Sequence, residues 1–444
     1  MNHWLEKQFH LSDNKTNIKT EIVAGLTTFL TMAYIIFIQP TVLATDFIGK
    51  PTGIDFGSVI LATCLASALT TIFMGLYANY PIALAPGMGE NFFFVSVIMS
   101  LTAFGKENAW QIALGIVFIS GIIFLILSIL PFRETLINAI SPSLKNAIAT
   151  GIGLFIAFIG LRNGGLIIGK AGTLVGLNNN FLCPEVAVFF FGLITTSVLY
   201  ILRVKGPIIL GIVAGYLMAI ALGKAHLSAI FGFPTIETYT LFKMDIRGAL
   251  NLVCLPYIIV FVFMDVFDTT GTLIGVSEQA GFIKDNTLPR ANKALVVDSA
   301  GTILGACLGT STITSYIESA TGVAQGGRTG LTSIVTGLLF ILALCCGPLI
   351  SSIGQYTPIT APALVIVGIL MIQNVKKIDW HDYSEAIPSF MIMIGIPFSY
   401  SIADGLSLGF ICYPIIKLLS GKGKQIHPFM YVLALILIGY FICI

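Results

Sequence analysis

Apolar stretches follow one another along the chain, separated by short polar or Gly/Pro-rich links. They fall at about 22–40, 57–78, 81–101, 109–131, 143–161, 184–202 and 206–223. A polar stretch with His226, Lys243, Asp245 and Arg247 follows. A second series lies at about 252–275, 291–308, 311–325, 329–350, 359–375, 385–400 and 402–419, and a last apolar run covers 428–444. Most of these runs have the length of a helix that crosses about 30 Å of hydrocarbon. The pattern predicts an all-α polytopic membrane protein of fourteen transmembrane segments in two seven-span halves, 22–223 and 252–419, with an additional segment at 428–444. An odd number of spans in each half makes the halves inverted repeats.

Two segments fit a helix poorly. Residues 80–91, YPIALAPGMGEN, place Pro81, Pro86, Gly87 and Gly89 inside an apolar region. Residues 309–318, GTSTITSYIE, alternate β-branched and small polar residues, which favours an extended strand. Each is the third segment of its half, and each precedes a run that can be helical, NFFFVSVIMSL or SATGVAQ. Spans 3 and 10 are therefore expected to be broken by short β-strands. Extended backbone at membrane depth is tolerated where it is buried in protein or lines a cavity, and matching interruptions point to a transporter's binding site. Asn91 and Glu318, at the starts of the two half-helices, are 227 residues apart. The same offset carries Asp265 back to Ile38, so its helix is the equivalent of span one.

Composition agrees with this pattern. The chain has 444 residues, 56% hydrophobic and 10% charged, against about 25% charged for a soluble domain. No polar stretch is long enough for a separate soluble domain, and a net charge of +2 gives no reason to expect nucleic acid. With residues 1–21 in the cytoplasm, sixteen Lys and Arg fall on the inside, among them Arg133, Lys145, Lys205, Lys284, Arg328, Lys376 and Lys377. Seven fall outside: Lys50, Lys106, Arg162, Lys170, Lys224, Lys243 and Arg247. The excess satisfies the positive-inside rule and predicts a multi-pass protein of the plasma (inner) membrane with a cytoplasmic N-terminus. The first twenty residues are too polar for a cleaved signal, so the first span is expected to be retained. Cysteines sit mostly in apolar segments without a C-x-x-C pair and read as small core fillers. The five histidines, His3, His10, His226, His381 and His427, lie outside the spans. A metal site, a cofactor or an intramembrane hydrolase is therefore not expected.

Candidate chemistry concentrates in FVFMDVFDTTGTLIG, residues 261–275. A charge at the bilayer centre costs roughly 2.5–3.5 kcal/mol on the most lenient scale, yet this segment keeps two acids. Asp265, Asp268, Thr269 and Thr272 are spaced i, i+3, i+4, i+7 and share one helix face, with Val266, Phe267 and Ile274 facing elsewhere. One reading is a stripe lining a polar cavity, where carboxylates bind a ligand and take up a proton. The other is a structural pair satisfied by a buried cation, but the spans offer almost no Lys or Arg. With Glu318, these acids read as the only buried titratable groups. Glu318 faces the positive end of its half-helix or merely caps it. Asn91 binds ligand across the site from Asp265 or serves as an N-cap. Glu90 falls on another side, and Phe92, Phe93 and Phe94 offer either ring stacking or packing. GGRTG at 326–330 lacks the spacing of a phosphate loop and reads as a turn between helices.

Four stretches carry a resemblance: EIVAGLTTFLTMAYIIFIQP, ALAPGMGENFFF, FMDVFDTTGTLIGVSEQAG and TSYIESATGVAQGGRTGLTSIVTGLLF. They closely resemble the AzgA-like purine permeases of the nucleobase–cation symporter superfamily, from about residue 20 to the C-terminus. The resemblance implies a core domain of spans 1–4 and 8–11, about 22–131 and 252–350, that holds the ligand. It implies a gate domain of spans 5–7 and 12–14, about 143–223 and 359–419. It further implies uptake of purine nucleobases with protons as coupling ion, and often a homodimer. Carried over by motif, Asp265 is the base-binding acid with Asp268 one turn on, Glu318 is the tenth-span acid, and Gly89 and Asn91 are the third-span pair. The chain departs from the pattern at Glu90, usually apolar, at Phe92–Phe93, usually a small residue and a tyrosine, and at Gln325, usually an acid. Other expectations on this fold are a different nucleobase, uracil or xanthine, or a small anion as in sulfate and bicarbonate carriers. Acids at the site count against an anion. A purine presents N–H donors and ring-nitrogen or carbonyl acceptors, and a site that must hydrogen-bond them rejects analogues that lack them. Burial disfavours the charged form of a carboxylate, which makes proton uptake linked to binding feasible.

Overall fold

The computed structural model describes residues 2–129, 140–170, 173–226, 229–283 and 288–443; Arg133 and Lys284 of the charge count lie outside them. A short α1 (Asn2–Phe9) precedes α2 (Ile18–Met32) and α3 (Ile35–Ala44), which together form the first apolar run. After α4 (Phe56–Phe73) come β1 (Leu84–Pro86), α5 (Met88–Ala103), α6 (Ala109–Ile129) and α7 (Pro142–Asn163). A hairpin of β2 (Ile167–Lys170) and β3 (Thr173–Leu177) leads to α8 (Pro184–Ile201) and α9 (Pro207–Ala221). Beyond the polar stretch lie α10 (Leu255–Ala280), α11 (Ala291–Leu308), β4 (Ile313–Ser315), α12 (Ser319–Ala324) and α13 (Gly330–Ala343). The chain ends in α14 (Gly347–Gly354), α15 (Ala361–Ile372), α16 (Tyr383–Ser399), α17 (Ile402–Leu419) and α18 (Pro428–Cys443).

Among the described residues, seven helical stretches are long and apolar enough to cross a membrane. Local signals set their ends. Asp55 caps α4 by accepting from Ser58 N at 2.7 Å, Pro142 and Pro256 sit in first turns, and Gly281 closes α10 at φ 70°. The expected single run at 329–350 is instead two helices. Its chain turns at Cys345–Cys346, where Gly232 N donates to Cys345 O at 2.7 Å, and Pro348 starts α14. The described cysteines are unpaired; Cys64 and Cys254 fill the core, but Cys345 is exposed.

The helices pack in two sets. α11 packs on α4 and α6, α4 on α13, α2 on α13 and α10 on α6. α7 packs on α15 and α16, α16 on α17, and α8 on α9 and α15. α7 and α15 meet backbone to backbone: a Cβ on Gly368 would lie 2.5 Å from Gly153 O, so only glycine permits the crossing. In α18, Met430, Leu433, Ala434 and Leu437 form a buried seam, and Phe429 packs on Phe263 of α10.

β1 and β4 pair antiparallel, with Leu84 opposite Ser315, Ala85 opposite Thr314 and Pro86 opposite Ile313. Gly87 N donates to Thr312 O at 3.1 Å and Tyr316 N to Ala83 O at 2.9 Å. Ala83 N donates to Ser319 Oγ, and Leu84 N to Thr71 Oγ1. These partners satisfy buried extended backbone without water.

The expectation that the site acids are the only buried titratable groups is corrected, away from the site, at two places. Glu21 is fully buried in α2 and accepts from Arg328 N (2.9 Å), Thr329 N (3.3 Å), Thr332 N (3.2 Å) and Thr332 Oγ1 (2.6 Å). It thus caps α13, and GGRTG is the turn that offers it backbone donors. Lys417 is also buried, 2.8 Å from Glu385 and 3.7 Å from Asp382, while Lys422 lies 2.8 Å from Asp382. Ser141 donates to Glu385 at 2.6 Å, so this network joins the start of α7 to α16 and α17.

Candidate functional site

The polar positions of α10 do not share one environment. Asp265, 1% exposed, turns towards α11: its Oδ2 accepts from Thr302 Oγ1 at 2.7 Å, and its Oδ1 has no hydrogen-bond donor. The carboxyl of Asp298, on α11, lies close enough to Asp265 for their charges to interact. Asp298 accepts from Thr269 Oγ1, and from Ser315 Oγ at 2.8 Å. Thr269 meets Thr314 at 3.0 Å, and Thr314 Oγ1 reaches Asp268 Oδ2 at 3.4 Å. Asp265, Asp298, Thr269, Thr314 and Asp268 therefore form one continuous polar chain, in which β4 supplies Thr314.

Asp268 ends that chain in a cavity of about 890 Å³. α5 and α10 line one wall with Gly89, Glu90, Phe267, Asp268 and Thr272. The other wall comes from α7, α17 and the end of α15, with Lys145, Ile152, Met371, Lys376, Lys377 and Phe410 among its residues. Two expectations fail here. Phe267 and Ile274 line the same cavity as Asp268, because the wall curves around more than one face of α10; Val266 alone of the three is buried in the core. Glu90 also faces the cavity, since it follows Gly89 in the first turn of α5 and that turn forms the wall.

Of the other residues singled out by sequence, Gly89 lines the cavity, and a Cβ there would meet Ile152 Cγ2 of α7 at 3.2 Å. Asn91 is fully buried behind the wall; it accepts from Ser311 Oγ, and its amide nitrogen has no partner. It is not an N-cap, because α5 starts three residues earlier at Met88, with Gly87 as its N-cap. Phe93 is buried among aromatic rings, its centroid 4.5 Å from that of Phe261. Glu318 is half-buried and makes no capping bond to α12; Tyr34 Oη donates to its Oε1 at 2.6 Å. It lies close enough to Asp268 for their charges to interact. Gln325 faces away and accepts from Lys205 Nζ at 2.8 Å.

Sequence reasoning missed Asp298 and misplaced Glu90. Asp298 carried part of the signal used for Asp265, an acid within an apolar run, but Lys293 on the same helix offered it a cation in sequence. Among the described residues, no ion pair involves Glu90, Asp265, Asp268, Asp298 or Glu318. Five clustered carboxyl groups outside any ion pair, two of them lining a cavity between two helix sets, suit a carrier that binds hydrogen-bond donors and protons.

A model of the Permease family matches residues 19–408. The chain belongs to that family. The Permease family chain is 47% identical to a putative permease of Methanocaldococcus jannaschii, over 98% of this chain and 97% of the relative. It is 45% identical to the guanine/hypoxanthine permease PbuG of Bacillus subtilis, over 98% of each chain. It is 38% identical to the adenine permease AdeP of Escherichia coli, over 98% of this chain and 95% of the relative. In fold it is similar to the transmembrane domain of a cyanobacterium bicarbonate transporter, BicA, with a TM-score of 0.61 and 15% identity over 88% of this chain and 96% of that one. The protein is a multi-pass membrane permease, not an enzyme.

Proposed function

We propose that this permease takes up purine nucleobases with protons across the plasma membrane, by alternating access between a core and a gate domain. The observation that carries the reading is the acid cluster, outside any ion pair, ending at Asp268 in the cavity. The names of the guanine/hypoxanthine and adenine permeases it resembles supply the substrate class. An anion carrier would need positive groups where Glu90 and Asp268 stand, so the likeness to a bicarbonate transporter carries fold alone.

In this reading the fourteen segments form two inverted repeats, with spans 3 and 10 broken at β1 and β4. The first helix set is the core and the second the gate, and two copies form a dimer in the plasma membrane with the N-terminus inside. Asp268 and Glu90 accept hydrogen bonds from the base, beside Gly89 and with Glu318 held by Tyr34. Asn91 and Phe93 support the wall from behind. Asp265 and Asp298 hold the coupling proton: two buried, interacting carboxyl groups, one with an oxygen that no donor reaches, are satisfied when one is protonated. Thr269 and Thr314 link that proton to Asp268.

Uptake of radiolabelled hypoxanthine by cells that express the chain, competed by unlabelled adenine, guanine, hypoxanthine, xanthine and uracil, tests the substrate. Purines should compete and uracil should not. Competition by uracil alone would remove the purine assignment.

A further inference from the structure

We infer that the cavity also holds a purine nucleotide, base towards the acids and phosphate towards Lys145, Lys376 and Lys377. The inference rests on the purine reading above. The cavity is bipolar: Glu90 and Asp268 stand on the α5 and α10 wall, and the three lysines come from α7 and the segment after α15. Lys145 is half-buried, and its Nζ lies 4.8 Å above the ring of Phe267, the neighbour of Asp268 in the chain. Lys376 and Lys377 are exposed at the mouth, where Gln373 adds an amide donor, while those of Asn146 and Asn374 already donate to Pro142 O and Met371 O. At about 890 Å³ the space falls in the upper part of the range for sites that enclose drug-sized ligands. A bare bicyclic base engages the acidic end alone. A phosphate monoester on the same base fills both, with ammonium groups as point-charge partners for its oxygens. The lysines lie on the side that the Lys and Arg count assigns to the cytoplasm, so the nucleotide enters from there. Bound, it bridges the two walls and holds the carrier in this conformation, a brake on uptake set by the phosphorylated form of the cargo.

Radiolabelled hypoxanthine binding to the purified full-length protein in neutral detergent tests this, with inosine, inosine 5′-monophosphate and ribose 5-phosphate as competitors. The monophosphate should displace hypoxanthine at a concentration about tenfold below inosine, and ribose 5-phosphate should fail at that concentration. In the triple variant Lys145→Gln, Lys376→Gln, Lys377→Gln the monophosphate should fall to the potency of inosine. If the triple variant does not fold, the double variant at the exposed Lys376 and Lys377 should lose part of the advantage. Equal potency of inosine and its monophosphate in the native protein overturns the inference, as does an advantage that survives in these variants. Displacement of hypoxanthine by phosphatidylglycerol, lost in the variants, together with a monophosphate no better than inosine, gives the lysine end to a lipid headgroup and overturns it too. Failure of hypoxanthine itself to bind the native protein would instead remove the purine reading.

Discussion

A single carboxyl group in this cluster has meaning only through its neighbours. Asp265 was legible because an acid in an apolar helix is costly, but its partner Asp298 and the hydroxyl link through Thr269 and Thr314 depend on contacts between helices and β4. The link separates two roles that removal of an acid would merge. Thr314→Val removes the hydroxyl that meets both Thr269 and Asp268 but leaves the cavity's acids in place. Gradient-driven accumulation of hypoxanthine should fall at least about tenfold, while equilibrium binding changes by less than about threefold, as befits loss of one net hydrogen bond. Equal loss of both would make Thr314 a structural strut. Glu90 gives a second test. Guanine carries a 2-amino donor that hypoxanthine lacks, and an extra carboxylate in the wall can accept from it. Glu90→Leu should weaken guanine more than hypoxanthine by about 1–3 kcal/mol, the cost of an unmade buried hydrogen bond. Competition curves for the two bases measure the difference, and an unchanged ratio would leave Glu90 without a role in selectivity.

At the scale of elements, the apolar runs gave helix positions well, since each run must bury or face lipid with its backbone bonded internally. What lay beyond the sequence was pairing over long separations. The pattern at 309–318 favoured a strand, but nothing local says that Ile313–Ser315 pairs with Leu84–Pro86. GGRTG read as a turn, yet its function as the donor side of a cap needs Glu21, some three hundred residues earlier. Glu21→Ala removes an acceptor shared by three backbone N–H groups and a hydroxyl. It should destabilise the detergent-purified protein by about 2–4 kcal/mol, read as a lowered midpoint of thermal unfolding, with Glu21→Gln intermediate. Asp382, which caps α16 outside the spans, offers a test by pH. Hydrogen bonds from the Lys422 ammonium and from Ser384 hold its carboxyl well below the usual range. A depressed folded value stabilises above the unfolded value, about 3.9, and the contribution is lost as pH falls below it. Asp382→Asn should therefore unfold at a lower temperature than the native chain by a constant margin from pH 8 to about pH 5, and the margin should shrink below about pH 4. A margin that already closes at pH 6 would mean that another group carries it.

At the scale of the whole molecule, two helix sets face each other across one cavity, and the open question is which side of the membrane it meets. Every lysine along it, Lys145, Lys376 and Lys377, belongs to segments that the charge count places inside, and so does the C-terminal end of α10 with Gly271 and Gly275. Towards the opposite end the walls converge, where Gly89 of α5 meets Ile152 of α7. In the proposed orientation this conformation opens to the cytoplasm, and uptake requires a second one in which the proposed gate set covers this mouth. Gly271 reports on that exchange, because it lines the cavity and a Cβ there would meet nothing within 4 Å. In a background with the native cysteines replaced by serine, Gly271→Cys should react with a membrane-impermeant maleimide in inside-out vesicles and stay unlabelled in intact cells. Saturating hypoxanthine should slow the reaction, since the bound base sits one turn away beside Asp268. Labelling from the outer face alone would reverse the orientation of the carrier, and labelling indifferent to hypoxanthine would separate this cavity from the path of the base.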